Sequence, residues 1–206
     1  MEKVVLAIAL LFCSSTIFSQ SSDSIDEKRL KYGFNLGLNY SNLLDDDKLP
    51  ENASVTNNFG FRLGVLADYS VSELFHISPK AELSFNNSKV ELDRADGSQL
   101  DYEVMPVSLE FMTHFLFKDN KEKLSPYFYV GPNVKLPLLL KEPGKTEFPT
   151  RYDFAIDFGV GVDKPLKHFN FAPELRYSFG LHNVNGHPEL QTLYFHNISL
   201  VFSFLG

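Results

Sequence analysis

From Tyr32 onward, apolar and polar side chains alternate with a period of two, and no stretch carries a competing helical period. Eight segments show the pattern. In "YGFNLGLNY", Tyr32, Phe34, Leu36, Leu38 and Tyr40 share one face, and glycines and asparagines share the other. "FGFRLGVLADY" sets Phe59, Phe61, Leu63, Val65 and Tyr69 opposite Arg62 and Asp68. "FHISPKAELSF" sets Phe75, Ile77, Leu83 and Phe85 opposite His76, Lys80 and Glu82. "VMPVSLEFMTHFLF" sets Val107, Leu109, Phe111 and Phe115 opposite Ser108, Glu110, Met112 and His114. "YFYVGPNVKL" places Phe128, Val130, Val134 and Leu136 against Tyr129, Asn133 and Lys135. "YDFAIDFGVGV" runs Tyr152, Phe154, Ile156, Phe158, Val160 and Val162 against Asp153 and Asp157. "PELRYSFGLHN" divides Leu175, Tyr177 and Phe179 from Glu174, Arg176 and Ser178, and "HNISLVFSFLG" ends the chain with Ile198, Leu200, Phe202 and Phe204 on one face.

Segments of about ten residues match a tilted strand crossing a bilayer. The joins alternate in length: "SVSE", "KDNKEKLS" and "DKPLK" are short, whereas "LLDDDKLPENASVTNN", "NNSKVELDRADGSQLD", "LLLKEPGKTEFPT" and "LHNVNGHPELQT" are long and mostly polar. Short turns on one side and long loops on the other are the pattern of an outer-membrane barrel with both termini on the turn side, in the periplasm. A secreted sandwich or a lipocalin-like barrel also alternates, with its apolar face turned inward. Three features favour the membrane. The apolar face is almost unbroken Phe, Tyr, Leu, Ile and Val. Aromatic rings recur at segment ends, at Tyr32, Tyr40, Phe59, Tyr69 and Tyr152. The opposite face mixes glycine with charges of both signs, as a narrow barrel interior requires. The pattern therefore predicts an all-β protein, a single eight-stranded antiparallel up-and-down transmembrane β-barrel spanning residues 32–206.

Composition agrees: twenty Phe, nine Tyr and no Trp favour strands. The net charge of −7, without a basic cluster, excludes a nucleic-acid partner. Lys3, the apolar run "VVLAIALLF" and the small residues of "SSTIFSQ" read as a secretory signal peptide over residues 1–19, cleaved after Ser19. Cys13 then belongs to the leader, its preceding Phe12 fitting a lipobox poorly, and the mature chain needs no thiol chemistry. Residues 20–31 form a polar, flexible periplasmic lead.

The chemistry predicted is structural. The inward face should hold a polar network of Arg62, Asp68, Lys80, Glu82, Glu110, Lys135, Asp153, Asp157, Glu174 and Arg176, paired where water is scarce. Ser108, Glu110, His114 and Ser178 share that face, but no nucleophile elbow or other catalytic motif surrounds them, so no catalytic residue is assigned. The six histidines lack metal-ligand spacing and read as surface residues; Asp45–Asp47 lacks the glycine of a calcium loop; no glycine loop would cradle a phosphate. No metal or cofactor is expected. The last strand, with Ile198, Leu200, Phe202 and Phe204, is the expected insertion signal for the barrel assembly machinery, and outer-membrane lipid is the solvent of the apolar face.

"YGFNLGLNYSNL", "PYFYVGPNVKL", the closing "VFSF" and above all "FNFAPELRYSFGLHNV" resemble the PorT-type outer-membrane β-barrel family of Bacteroidetes-like bacteria. "VMPVSLEF" is similar to the proline-led fourth strand of its founding member. The resemblance implies a non-catalytic barrel that acts as an accessory or assembly component of protein secretion of the type IX kind, with secretion-system or periplasmic proteins as partners. It carries over no catalytic residue. A structural or adhesive barrel acting through its extracellular loops, and a lipid-modifying barrel enzyme, remain the alternatives.

Overall fold

The structure, a computed structural model, describes residues 29–45, 52–93, 99–119, 124–138, 150–186 and 192–206. The leader and all but the end of the lead lie outside them. Eight strands form the wall: β1 (Leu30–Asp45), β3 (Phe59–Ser70), β4 (Phe75–Phe85), β7 (Val107–Lys118), β8 (Ser125–Pro137), β9 (Asp153–Pro165), β10 (Asn170–Gly180) and β11 (Leu193–Leu205). Every neighbouring pair is antiparallel, and the sheet closes because β1 pairs with both β3 and β11, Leu36 facing Leu63 on one side and Phe202 on the other. Closure leaves no unpaired edge, the condition for backbone to lie in hydrocarbon. β1 starts at Leu30, two residues before the segment "YGFNLGLNY", with Leu30 and Lys31 continuing its alternation and pairing with Tyr69 and Asp68.

Side-chain parity decides the rest. The apolar set points outward, with Leu38 at 59%, Val65 at 63% and Val160 at 58% exposure, values a water-soluble surface would not sustain over a whole sheet. Tyr32 and Tyr69 ring the turn end; Tyr40 and Phe59, with centroids 5.0 Å apart, and Tyr152 ring the other. Three of the wall-strand prolines, Pro79, Pro132 and Pro173, lie in mid-strand, and each interrupts one ladder without shifting register. The β3–β4 pairing lapses beside Pro79, the β7–β8 pairing beside Pro132 and the β9–β10 pairing beside Pro173.

The loop end departs from the sequence expectation. Two of the joins read as polar loops contain strands: β2 (Ala53–Thr56), β5 (Lys89–Asp93) and β6 (Gln99–Glu103) form a second sheet in the order β2-β5-β6. The alternation is present in "KVELD" and "QLDYE", but these runs are too short and too charged to stand out. Val90 pairs with Tyr102 on the inner face, and both join Leu43, Val104, Met105, Val184, Leu193 and Phe195 in an apolar cluster that lids the barrel. Met105, with φ at 51°, occupies the left-handed region where the chain turns back from lid to wall, held by Thr150 Oγ1 on its N–H and Asn86 Nδ2 on its carbonyl. The joins around residues 139–149 and 187–191, with His187, lie outside the described residues.

Candidate functional site

The inward parity of the wall collects five cations and seven carboxylates, all buried, among the described residues. They are layered along the barrel. At the turn end Lys118 Nζ donates to Asp68 Oδ2 at 2.8 Å and to Asp163 Oδ2 at 3.2 Å. His76 Nδ1 lies 2.9 Å from Asp68 Oδ1, and Asn170 Nδ2 donates to Asp163 at 3.0 Å. A polar vestibule of about 240 Å³ opens outward from this layer at the turn end, flanked by Arg29 and Lys31.

The middle layer is a chain of alternating charges. Lys80 and Arg176 both meet Glu174 Oε1, at 3.1 and 2.7 Å. Arg176 grips Glu82 with a two-pronged contact, Nη1 to Oε2 at 2.9 Å and Nη2 to Oε1 at 3.0 Å, the planar fork that a lysine cannot offer. Arg62 Nη1 adds a third bond to Glu82 at 3.0 Å and reaches Glu110 at 3.6 Å. Asn35 donates to Glu82 at 2.8 Å; Tyr127 and Tyr129 donate to Glu174 at 3.1 and 3.2 Å. Both tyrosines lie over a glycine of the neighbouring strand. A Cβ on Gly159 would come within 2.6 Å of the Tyr129 hydroxyl, and one on Gly161 would collide with the Tyr127 ring.

Beside this chain, His114 Nε2 lies 3.1 Å from Asp157 Oδ2 and its ring stacks on Tyr129 at 4.4 Å. Ser178 Oγ donates to the other oxygen of Asp157 at 2.5 Å, and Asn133 bridges Glu110 and Asp157 at 3.1 Å to each. Ser178 thus donates to the carboxylate and not to the histidine, while Ser108 Oγ is committed to Glu110 at 3.1 Å. Neither serine meets His114, so no serine–histidine pair forms among the described residues. Above it, Lys135 pairs with Asp153 at 3.2 Å and sits 5.0 Å from the Phe195 ring, beneath the lid. On the lid's outer face, the hydrogen bonds that the Lys89 ammonium donates to Glu91 and Asp101 raise its pKa above its ordinary value, and on the inner face burial raises that of Tyr102.

Each of the ten residues predicted for the inward network is buried in it. Sequence reading missed Lys118 and Asp163, which lie on the inward parity just beyond the segments "VMPVSLEFMTHFLF" and "YDFAIDFGVGV". One more residue of each strand would have found them. The reading of the histidines as surface residues fails for three of them: His76 and His114, which the alternation already sets on the inward face, are buried inside the barrel, and His196 is covered on the outer face by Tyr177 and Phe179. Ile198 and Leu200 are exposed on the outer wall, whereas Phe202 and Phe204 are half-buried by Phe34, Phe169 and Phe171. No group of three or more metal-ligating side chains occurs among the described residues.

A closed wall with lipid-facing side chains outside and a paired ionic interior defines a small outer-membrane barrel. The chain belongs to the outer membrane protein β-barrel domain family, whose profile matches residues 18–186. It is similar to OprG of Pseudomonas aeruginosa, with 14% identity, 85% of this chain and 92% of OprG covered, and a TM-score of 0.51. Neisserial surface protein A is 12% identical over 83% of this chain and 96% of its own, with a TM-score of 0.47. Ail, the attachment invasion locus protein of Yersinia pestis, is 12% identical over 86% and 99%, with a TM-score of 0.46. No curated protein gives a significant sequence match.

Proposed function

We propose that the protein is a non-catalytic, non-conducting barrel that serves protein export as an accessory component. One observation carries this reading: the interior from Asp68 to Asp153 is filled by mutually bonded charges and roofed by the apolar lid, so a polypeptide or solute has no path through it. The wall anchors and orients the chain, and its ends do the work. In this reading residues 1–19 are removed on export, the lead of residues 20–31 extends into the periplasm and both termini face that side. The resemblance of "FNFAPELRYSFGLHNV" to PorT-type barrels supports a role beside a type IX-like secretion machine.

Two experiments test it. Purified protein in planar bilayers should give no steady conductance, and open channels would defeat the non-conducting reading. A deletion strain should lose a set of secreted proteins from its medium; an unchanged secretome would defeat the export role. The ordered lid favours a second reading, adhesion through the loop end. That reading predicts normal secretion with reduced surface attachment in the same strain.

A further inference from the structure

We propose that the outer wall at β8, β9 and β10 holds one anionic phospholipid, its acyl chain in an apolar groove and its phosphate on the basic β9–β10 turn. The groove is open and encloses about 730 Å³, walled by Phe117, Phe128, Val160, Val162, Leu175 and Leu200. It exists because of a local defect in the sheet. β9 and β10 pair at Phe171–Lys164 and again at Glu174–Gly161, but Pro173 has no N–H to offer Val162 between them. On the outward parity, the short side chain of Val162 and the flat rings of Pro126 and Pro173 leave the space unfilled between Phe117, Phe128 and Leu175. The floor is formed by Tyr127 and Glu174, whose hydroxyl and carboxylate are spent on each other, Lys80 and Arg176. The groove therefore offers a chain a largely apolar bed.

Charge selects the headgroup. Val160, Val162 and Lys164 share the outward face of β9, so Lys164 stands about 7 Å beyond the groove along the strand. Lys167 and His168 follow in the turn, exposed, between the exposed apolar side chains of Leu166 and Phe169. Residues 164–169 contain no acid, whereas the β3–β4 turn carries Glu73 and β7 runs out into Asp119. Flexible lysines rising from apolar surface to the interface are suited to a lipid phosphate. Placing the phosphate in the periplasmic leaflet rests on the periplasmic placement of the turns proposed above; the lipid chemistry does not.

The test uses the full chain reconstituted in equal amounts of palmitoyl-oleoyl phosphatidylglycerol and phosphatidylethanolamine, released in mild detergent and weighed by native mass spectrometry. The wild type should retain one phosphatidylglycerol per barrel in several-fold preference. Val160→Trp, which fills the groove, should abolish retention, while Ile198→Trp elsewhere on the wall should not. Lys164→Gln with Lys167→Gln should keep a bound lipid but lose the preference for phosphatidylglycerol; both side chains are exposed at the turn end of the wall, so the pair reads out even where a groove variant misfolds. Heat-dependent gel mobility confirms that each variant is folded. Retention in proportion to the lipid mixture, or a Val160→Trp protein that retains phosphatidylglycerol like the wild type, would overturn the site. So would preferential retention of lipid A when it is added to the mixture. None of these readouts depends on orientation or conductance, so failure here and failure of the export reading are separable.

Discussion

Glu82 is the residue on which the interior converges, accepting bonds from Asn35, Arg62 and both prongs of Arg176 without exposure to solvent. A buried ionic cluster is weak evidence for stability as a whole, because desolvation offsets much of the attraction. Removing one member is another matter, since its partners keep their charge and lose their counter-ion. Glu82→Leu should therefore lower unfolding free energy by about 3–5 kcal/mol, read as a shifted urea midpoint in vesicles. Adding Arg176→Met should restore part of that loss, because Arg62 still has Glu110 beside it. Wild-type stability for the single variant would show that the network is solvated. Ser203, by contrast, is buried with its hydroxyl unbonded among the described residues, and Ser203→Ala should be close to neutral.

Strands are specified by two different demands, one on the backbone and one on the outer face. β8 shows the backbone demand: a Cβ on Gly131 would collide with the Thr113 carbonyl of β7, where Pro132 has already broken the ladder. Gly131→Val should push the two strands apart and cost about 1–3 kcal/mol, seen as a lower temperature for the heat-dependent gel shift. β11 shows the demand of the outer face. Phe204 stacks on Phe34 at 5.0 Å and touches Phe169 and Phe171, so it joins the closing strand to β1 and β10 near the chain's end. Phe204→Ser should sharply reduce outer-membrane levels, by immunoblot of membrane fractions, while Ser203→Ala leaves them unchanged. Equal levels would refute an insertion signal in this strand.

The molecule combines two cores of opposite character. The barrel interior is polar and satisfied by pairing; the lid is apolar and satisfied by burial, with Val90, Val104, Met105, Val184, Leu193 and Phe195 excluded from solvent. Replacing residues 89–103 by a short glycine-serine linker strips the lid of β5 and β6. The wall should still insert and show heat-dependent mobility, because none of its ladders runs through the lid. The variant should melt at a lower temperature and bind a hydrophobic dye, since Leu193 and Phe195 then lie open. Loss of insertion would show that lid and wall fold as one unit.

The alternation along the chain specifies the eight wall strands, their two faces and which face meets lipid. A period of two is a local property, and a face of Phe, Leu and Val opposite Arg62, Glu82 and Asp157 has only one stable arrangement when the solvent is lipid. It also marked ten charged residues as inward, because parity carries from one end of a strand to the other. The tertiary structure alone decided which of them meet. Arg176 and Glu82 are 94 positions apart and on non-adjacent strands, so their contact depends on the stagger of the closed barrel. The lid was decided in the same way. "KVELD" and "QLDYE" are too short to bury anything alone, and they become strands only because β2, the barrel mouth and each other supply the missing apolar contacts.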